Sequence, residues 1–322
     1  MSGRLTVVIP VHNGARYLPE TICSLQAQTL RDFRLLCIDD ASDDGSAAVI
    51  EAAGVELMPN ERRLGLAKTW NRAVALADSE YLVLAHQDDV YDPAYAETML
   101  DAIASLPRAF AVHCKVRTID DGGRAIAHPA AVFKERFWPD GNRVEREPAL
   151  ELAMLQRGNY VVAPTVMFRR SAVLCIGPFD ERYEFVTDWE YWMRGVLAGF
   201  TLGGVPSRLV AFRRHEQTAT RAHERTLRRY EEELDLLRRI AQRRPGPHAY
   251  RAIENTILAD FVERLASGDR DGARRLIAFG RHQVPDFSAL RAGLMHTILP
   301  GGRLAGRALR AAELTCLRFS KP

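Results

Sequence analysis

Nothing in this sequence is spaced like a metal knuckle, a redox pair or a membrane span. It holds five cysteines, Cys23, Cys37, Cys114, Cys175 and Cys316, an odd number with no CxxC pair. That pattern argues against a disulfide framework and reads as reduced thiols in a reducing compartment. No apolar run reaches the ~18–20 residues needed to cross a bilayer. No charged-then-apolar leader opens the chain, because Leu5–Pro10 already reads as a strand. The expectation is a cytoplasmic protein, with peripheral contact at the inner face of the membrane left open. Glycine is scarce after the first apolar run, where Gly14 stands alone instead of in a glycine-rich phosphate loop. No internal repeat or low-complexity tract is visible.

What is present is a chain of 322 residues, 47% apolar, enough for one large α/β domain and a smaller appendage. Its net charge of +3 is unevenly spread. Residues 216–322 carry 20 Lys+Arg against 13 Asp+Glu, or +7, and the first 215 carry 24 against 28, or −4. A basic tail suits phosphate-bearing lipid or another polyanion, and it equally suits solvated arginine-rich helix faces. Arg303, Arg307 and Arg310 share one helical face, with Leu314 and Leu317 near it, so the separation of polar and apolar faces is poor. Homo-oligomerisation would explain the tail as well as membrane docking does, and no nucleic-acid partner is expected.

Short apolar runs alternate with helical spacings through the first 116 residues. Leu5–Pro10, Phe33–Ile38, Val55–Met58, Tyr81–Ala85 and Phe110–Val116 read as strands. Helices are expected from Tyr17, Ser46, Leu66 and Pro93. This alternation predicts βαβ crossovers and a mostly parallel, Rossmann-like sheet covered on both faces. Beyond residue 117 the pattern loosens. A turn at Asp121-Gly122-Gly123 precedes a long loop with short strands over 128–147, strands at Thr165–Phe168 and Leu209–Arg213, and a helix at Asp188–Leu197. From about residue 221 the chain reads as helices, broken at Pro245-Gly246-Pro247, near Gly268 and at Pro300-Gly301-Gly302.

Ligands of such sheets bind beyond the carboxyl ends of the strands. Three strand ends are rich in polar groups: Pro10-Val11-His12-Asn13-Gly14, Asp39-Asp40-Ala41-Ser42-Asp43-Asp44, and His86-Gln87-Asp88-Asp89. Adjacent carboxylates beside a pyrophosphate suit a hard divalent cation. Aspartates also gather in turns for local hydrogen-bonding reasons alone. Arg63 and Lys68 either counter phosphate charge or are plain surface charges. Trp189 and Trp192, three apart on one helix, read as core more than as the floor of a sugar site.

In this order VVIPVHNGARYL, SLQAQTLRDFRLLCIDDASDDGS, NRAVALADSEYLVLAHQDDVY, VTDWEYWMRGVLAG and FRRHEQTAT resemble glycosyltransferase family 2, the inverting enzymes of the GT-A fold. The resemblance runs from about Leu5 to about Thr220, with 1–220 as the GT-A domain and 221–322 as a helical C-terminal region. It implies a nucleotide-binding half, an acceptor half, and a single displacement at the anomeric carbon of a nucleotide sugar, with UDP- or dTDP-sugars favoured. The acceptor would be a hydroxyl of a glycan or lipid-linked saccharide, in cell-surface polysaccharide synthesis.

Carried over residue by residue, the resemblance puts Pro10, Val11 and His12 beside the nucleobase and makes Asn13 hold that loop. Asp40, with Asp39 beside it, would hydrogen-bond the base. Asp88 and Asp89 match the metal motif, Asp89 as the direct ligand and Asp88 as a second ligand or a ribose contact. His215 would complete the shell of Mn²⁺ or Mg²⁺, and an imidazole suits Mn²⁺ better. Asp188 matches the catalytic base. Thr187-Asp188-Trp189-Glu190 also fits a capping box, with Thr187 as the cap and the helix dipole favouring an ionised Asp188. Two departures stand out: His12 occupies a place where an aromatic ring is common, and His86 one where many relatives carry a further Asp. Rival readings are a sugar nucleotidyltransferase, which the lone Gly14 disfavours, and a catalytically silent nucleotide-sugar sensor or scaffold, which the retained Asp40, Asp88, Asp89 and Asp188 disfavour.

Overall fold

A computed structural model describes residues 3–127, 131, 134–135, 138, 144–215, 227–244, 250–285 and 287. The chain divides into two units, Met1–Leu155 with Asn159–Arg225, and Gln156–Gly158 with Thr226–Pro322.

Among the described residues of the larger unit, nine strands form one sheet of order β3-β2-β1-β4-β8-β6-β9-β5, with β7 paired to β9. The first half is parallel. β1 (Leu5–Val11) lies between β2 (Arg34–Asp39) and β4 (Tyr81–Leu84), and β3 (Glu56–Pro59) lies outside β2. β1 is buried nearly throughout, as its unbroken apolar run requires of a strand covered on both faces. The crossovers carry helices α1 (Leu18–Gln26), α2 (Ser46–Ala52) and α3 (Leu66–Leu76).

The second half mixes directions. β5 (Val90–Tyr91) is followed by α4 (Tyr95–Ala104), β6 (Ala109–Ile119), β7 (Val144–Glu145) and α5 (Pro148–Leu155), then by β8 (Met167–Arg169) and α6 (Arg170–Ile176). Helix α7 (Thr187–Leu197) and β9 (Thr201–Arg213) complete the unit. β8 runs antiparallel to both β4 and β6, and β6 runs parallel to β9.

β9 begins eight residues before the predicted Leu209. Gly203-Gly204 and Pro206-Ser207, ahead of the expected strand, each have a place in the sheet. A Cβ on Gly203 would meet Val112 Cγ1 at 2.8 Å, and one on Gly204 would meet Trp138 at 2.8 Å, so both glycines permit close approach. Pro206 and Ser207 fall in a register jump, where Cys114 pairs Val205 and Lys115 pairs Arg208. Thr165–Phe168 resolves into a 3₁₀ turn, Ala163–Thr165, followed by β8. Helices α5 and α6 are eight and seven residues long, too short for apolar periodicity to reveal them.

Trp189 and Trp192 are core residues, as expected. Trp192 stacks on Phe168 at 5.7 Å, and Tyr191 stacks on Phe179 at 4.1 Å. Gly195 lets α7 sit against Phe110, which a Cβ there would meet at 2.8 Å. The start of α7, with Asp188, is thereby held against rigid sheet.

In the smaller unit α8 (Arg228–Arg243), α9 (Arg251–Ala266) and α10 (Arg270–Gln283) bury one apolar stripe each. Gly268, at φ +84°, turns the chain between α9 and α10, and Asp269 caps α10 by accepting from Gly272 N–H at 2.8 Å. Arg229 bridges Glu233 at 3.0 Å and Asp260 at 3.2 Å. Among the described residues no helix is long and apolar enough to cross a membrane. The basic face at Arg303, Arg307 and Arg310 lies outside the described residues, as do Cys316, the two proline-glycine breaks and most of 128–143.

Candidate active site

The loops after β1 and β2 are laced together at the rim of the sheet. Pro10 is half-buried and Val11 buried, and Val11 C=O accepts from Asp40 N–H at 2.7 Å. Asn13 adopts the left-handed conformation, φ 51°, which asparagine tolerates better than most residues. Its N–H donates to Ser42 Oγ at 3.0 Å, and its Oδ1 accepts from Asp43 N–H at 3.0 Å. Gly14 N–H donates to Ser46 Oγ at 2.9 Å. His12 is half-buried. Its N–H donates to Gln87 Oε1 at 2.9 Å and its Nδ1 lies 3.0 Å from Asp40 C=O.

The first acidic pair is occupied by the protein itself. Asp39 accepts from the N–H and hydroxyl of Ser42. Asp40 accepts from Asn60 Nδ2 at 2.6 Å, Leu64 N–H at 2.7 Å and Gly65 N–H at 2.8 Å. It therefore clamps the 60–65 segment that leads into α3.

The second pair is different. Asp89 is fully buried; its Oδ1 accepts from Arg213 N–H at 2.8 Å, and its Oδ2 hydrogen-bonds to nothing. Burial, then the neighbouring Asp88, pushes its carboxyl well above the ordinary range, while the N–H and charge of Arg213 pull it down. Asp88 Oδ2 lies 2.9 Å from His215 Nε2. His86, Asp88 and Asp89 each offer one ligand atom within 4.8 Å of the others, a donor set able to hold a divalent cation. His86 Nε2 is covered and unpartnered, and burial lowers the proton affinity of the ring against the pull of Asp88 and Asp188.

Two residues that the sequence reading did not single out hold this loop. Thr21, on α1, donates its hydroxyl to Asp89 C=O at 2.8 Å. Arg213, only 2% exposed at the end of β9, donates Nε to Asp88 C=O at 2.8 Å and Nη1 to Asp121 C=O at 3.2 Å. It also pairs with Glu20 and lies over the Tyr17 ring, on whose ring His215 packs at 4.5 Å. A buried guanidinium with its donors spent on Asp88, Asp120, Asp121 and Glu20 fixes the acidic loop in place. Read along the chain it was one arginine in a basic stretch; only its burial distinguishes it.

Asp188 stands at the start of α7. Its Oδ2 accepts from Asn159 Nδ2 at 3.0 Å and its Oδ1 from Trp189 N–H at 2.7 Å. Burial raises its carboxyl above the ordinary value, although Asn159, Lys134, Trp189 N–H and His86 all pull the other way. The expected depression by the helix dipole is thus outweighed by desolvation. Lys134, also absent from the sequence reading, donates Nζ to Val161 C=O at 3.1 Å, and burial lowers its ammonium to about 8.

The capping box does not form. Val186 occupies the cap position, and Thr187, inside the helix, donates its hydroxyl to Tyr183 C=O at 2.9 Å. Glu190 turns instead to Arg194, meeting its Nε at 2.8 Å and Nη2 at 3.0 Å. A bidentate charged pair one turn along outcompetes the single backbone donor that a capping glutamate would reach.

Comparison with known proteins agrees with this architecture. The chain is 27% identical over 238 residues to an N-acetylglucosaminyl-diphospho-decaprenol L-rhamnosyltransferase of Mycobacterium tuberculosis, covering 64% of this chain and 75% of that one. It spans 58% to 62% of the length of other curated relatives it matches, among them an uncharacterized glycosyltransferase of Rickettsia typhi. The fold is shared with S. aureus TarS 1-349 in complex with UDP-GlcNAc, at TM-score 0.62 and 16% identity over 99% of this chain and 90% of that one. It is shared too with a Pyrobaculum calidifontis mannosyltransferase in complex with GDP-Man and Mn²⁺, at TM-score 0.58 and 15% identity over 97% and 85%. These are GT-A folds, and the profile of glycosyl transferase family 2 matches residues 6–176, more than half of the chain. The chain belongs to glycosyl transferase family 2.

Proposed function

We propose that this protein moves a sugar from a nucleotide-sugar donor to an acceptor hydroxyl by a single inverting displacement. Two groups that share His86 as an electrostatic neighbour support the reading. One is a buried, unsatisfied Asp89 beside Asp88 and His86. The other is Asp188, which interacts electrostatically with His86.

The nucleobase would lie against the β1 and β2 loops, bordered by Pro10, Val11 and His12, with Asn13 holding the loop and Asp39 and Asp40 at its polar edge. Asp88 and Asp89 would hold Mn²⁺ or Mg²⁺, with a histidine, His215 in the sequence reading, completing the set. The orphaned Asp89 oxygen supports a fit to such an ion. When bound, the ion neutralises charge on the departing diphosphate. Asp188 would take the proton of the acceptor hydroxyl as it attacks. Its raised proton affinity suits a base that must accept a proton near neutral pH, and Asn159 and Trp189 N–H fix its orientation.

The relative named an N-acetylglucosaminyl-diphospho-decaprenol L-rhamnosyltransferase supports a lipid-linked saccharide as the acceptor class; we take the donor to be a UDP- or dTDP-sugar and the setting to be cell-surface polysaccharide synthesis. Such an acceptor fits a cytoplasmic protein working at the inner face of the membrane. The test is a donor screen across UDP-, dTDP- and GDP-sugars that reads nucleoside diphosphate release. Turnover with any donor supports the transferase. Binding without turnover would favour a sensor, and pyrophosphate release from a nucleoside triphosphate would favour a nucleotidyltransferase.

A further inference from the structure

Two histidines flank the Asp88–Asp89 pair, and they are placed differently. His215 Nε2 is 2.9 Å from Asp88 Oδ2, so it and one Asp88 oxygen occupy each other. His86 belongs to the three-residue group whose ligand atoms lie within 4.8 Å of one another. Its Nε2 is covered and without a hydrogen-bond partner, and so is Asp89 Oδ2 in the same group. Native proteins rarely leave two such atoms unsatisfied in one cluster unless a ligand or water completes them. The His86 backbone is anchored by its N–H on Tyr91 OH at 3.2 Å, and its ring lies 6.2 Å from that of Trp70.

We propose that His86 supplies an imidazole nitrogen to a divalent cation held with Asp88 and Asp89, while His215 orients Asp88 from outside the shell. The site is thereby biased toward a first-row transition ion over Mg²⁺. Mg²⁺ is served by oxygen donors and keeps several waters, whereas imidazole nitrogen is a better donor to softer ions. An outer partner such as His215 fixes the ligating carboxylate and tunes its affinity without touching the ion. This assignment rests on the metal-assisted reading above and deepens it, since it says which ion the chain selects and through which atom.

The test uses the full chain and Mn²⁺ as the probe. Binding is followed by loss of the free Mn²⁺ electron paramagnetic resonance signal and by competition with Mg²⁺. Pulsed spectra read nitrogen coupling on the bound ion. Wild type should show a directly coordinated nitrogen that persists in His215→Gln and disappears in His86→Asp and His86→Ala. Both His86 variants should lower the preference for Mn²⁺ over Mg²⁺ by about tenfold, and His215→Gln should weaken both ions together by about tenfold. Thermal melts check folding, and His86→Asp carries the comparison if His86→Ala does not fold. Nitrogen coupling that survives His86→Asp, is lost in His215→Gln, or is missing from wild-type protein with Mn²⁺ bound would overturn the role of His86 alone. No Mn²⁺ binding at all would overturn the metal-assisted reading with it.

Discussion

Asp39-Asp40 and Asp88-Asp89 share one local pattern: two adjacent aspartates shortly after a buried strand. The structure makes them opposites. Asp40 accepts from three donors of the 60–65 segment. Hydrogen bonds to a charged group are worth about 1.5–3 kcal/mol each, so these make it a scaffold carboxylate. Asp89 receives one backbone N–H, keeps an oxygen unpaired in the interior, and is destabilised as an anion by burial and by Asp88. A carboxylate that the fold satisfies holds a loop; one that it leaves short is poised to take a ligand or a proton. Glu190 and Asp188 differ in another way: Glu190 is ion-paired with Arg194, whereas Asp188, half-buried, accepts from Asn159 and Trp189 N–H and has its carboxyl raised by desolvation.

Breaking the second pair should have the largest effect. Asp89→Asn is expected to lower transfer by about 1000-fold, on the scale of removing a principal electrostatic group from an active site. EDTA should do the same to wild type, with Mn²⁺ restoring it. Initial rates of nucleoside diphosphate release read both, and full activity in chelator would remove the metal from the scheme. Asp188→Asn should cost ~100-fold or more while leaving donor affinity in place, the scale of a lost general base. Near wild-type turnover in that variant would mean the base lies elsewhere.

The first pair should answer in stability. Asp40→Asn keeps the shape but turns an NH₂ toward donors that need an acceptor, so about 1–3 kcal/mol of stability should be lost. Denaturant melts measure that loss, and a stability unchanged from wild type would erase the contrast between the two pairs. A smaller effect should appear in the pH profile. Asp188 must be ionised to accept a proton, and its affinity is raised by burial, so activity should fall with decreasing pH at a point above the usual carboxylate range. Lys134 opposes that rise, so Lys134→Met should move the acid limb to still higher pH, as kcat profiles would reveal. The smallest effect is expected from Glu190→Gln, whose rate should stay within about twofold of wild type, because the side chain serves Arg194 and not the acceptor. A loss on the scale of Asp188→Asn would instead make Glu190 the rival base.

Much of the parallel half of the sheet was legible along the chain. LTVVIP, FRLLCI and YLVLA are continuous apolar runs, and the polar residues that follow them had to sit at one rim because side-chain alternation and crossover topology leave little choice. The antiparallel half was harder to read. Gly203-Gly204 and Pro206-Ser207 carry no local strand signal, since their use is close approach and a register jump, both visible only against β6 and Trp138. The capping box failed for a similar reason: a local motif lost to Arg194, a partner one turn away, and to a Thr187 hydroxyl turned inward.

The sequence by itself determined the alternation of strands and helices through the parallel half, the family, and the polar residues that follow those strands. Those follow from local periodicity and from motifs read in order. Only the tertiary structure decided which of those residues are spent and which are left wanting. It saturated Asp40 with the 60–65 segment, buried Arg213 beneath the acidic loop, joined His215 to Asp88, and left Asp89 Oδ2 and His86 Nε2 without partners. Desolvation and hydrogen-bond satisfaction are set by residues tens to more than a hundred positions away, so no local pattern encodes them.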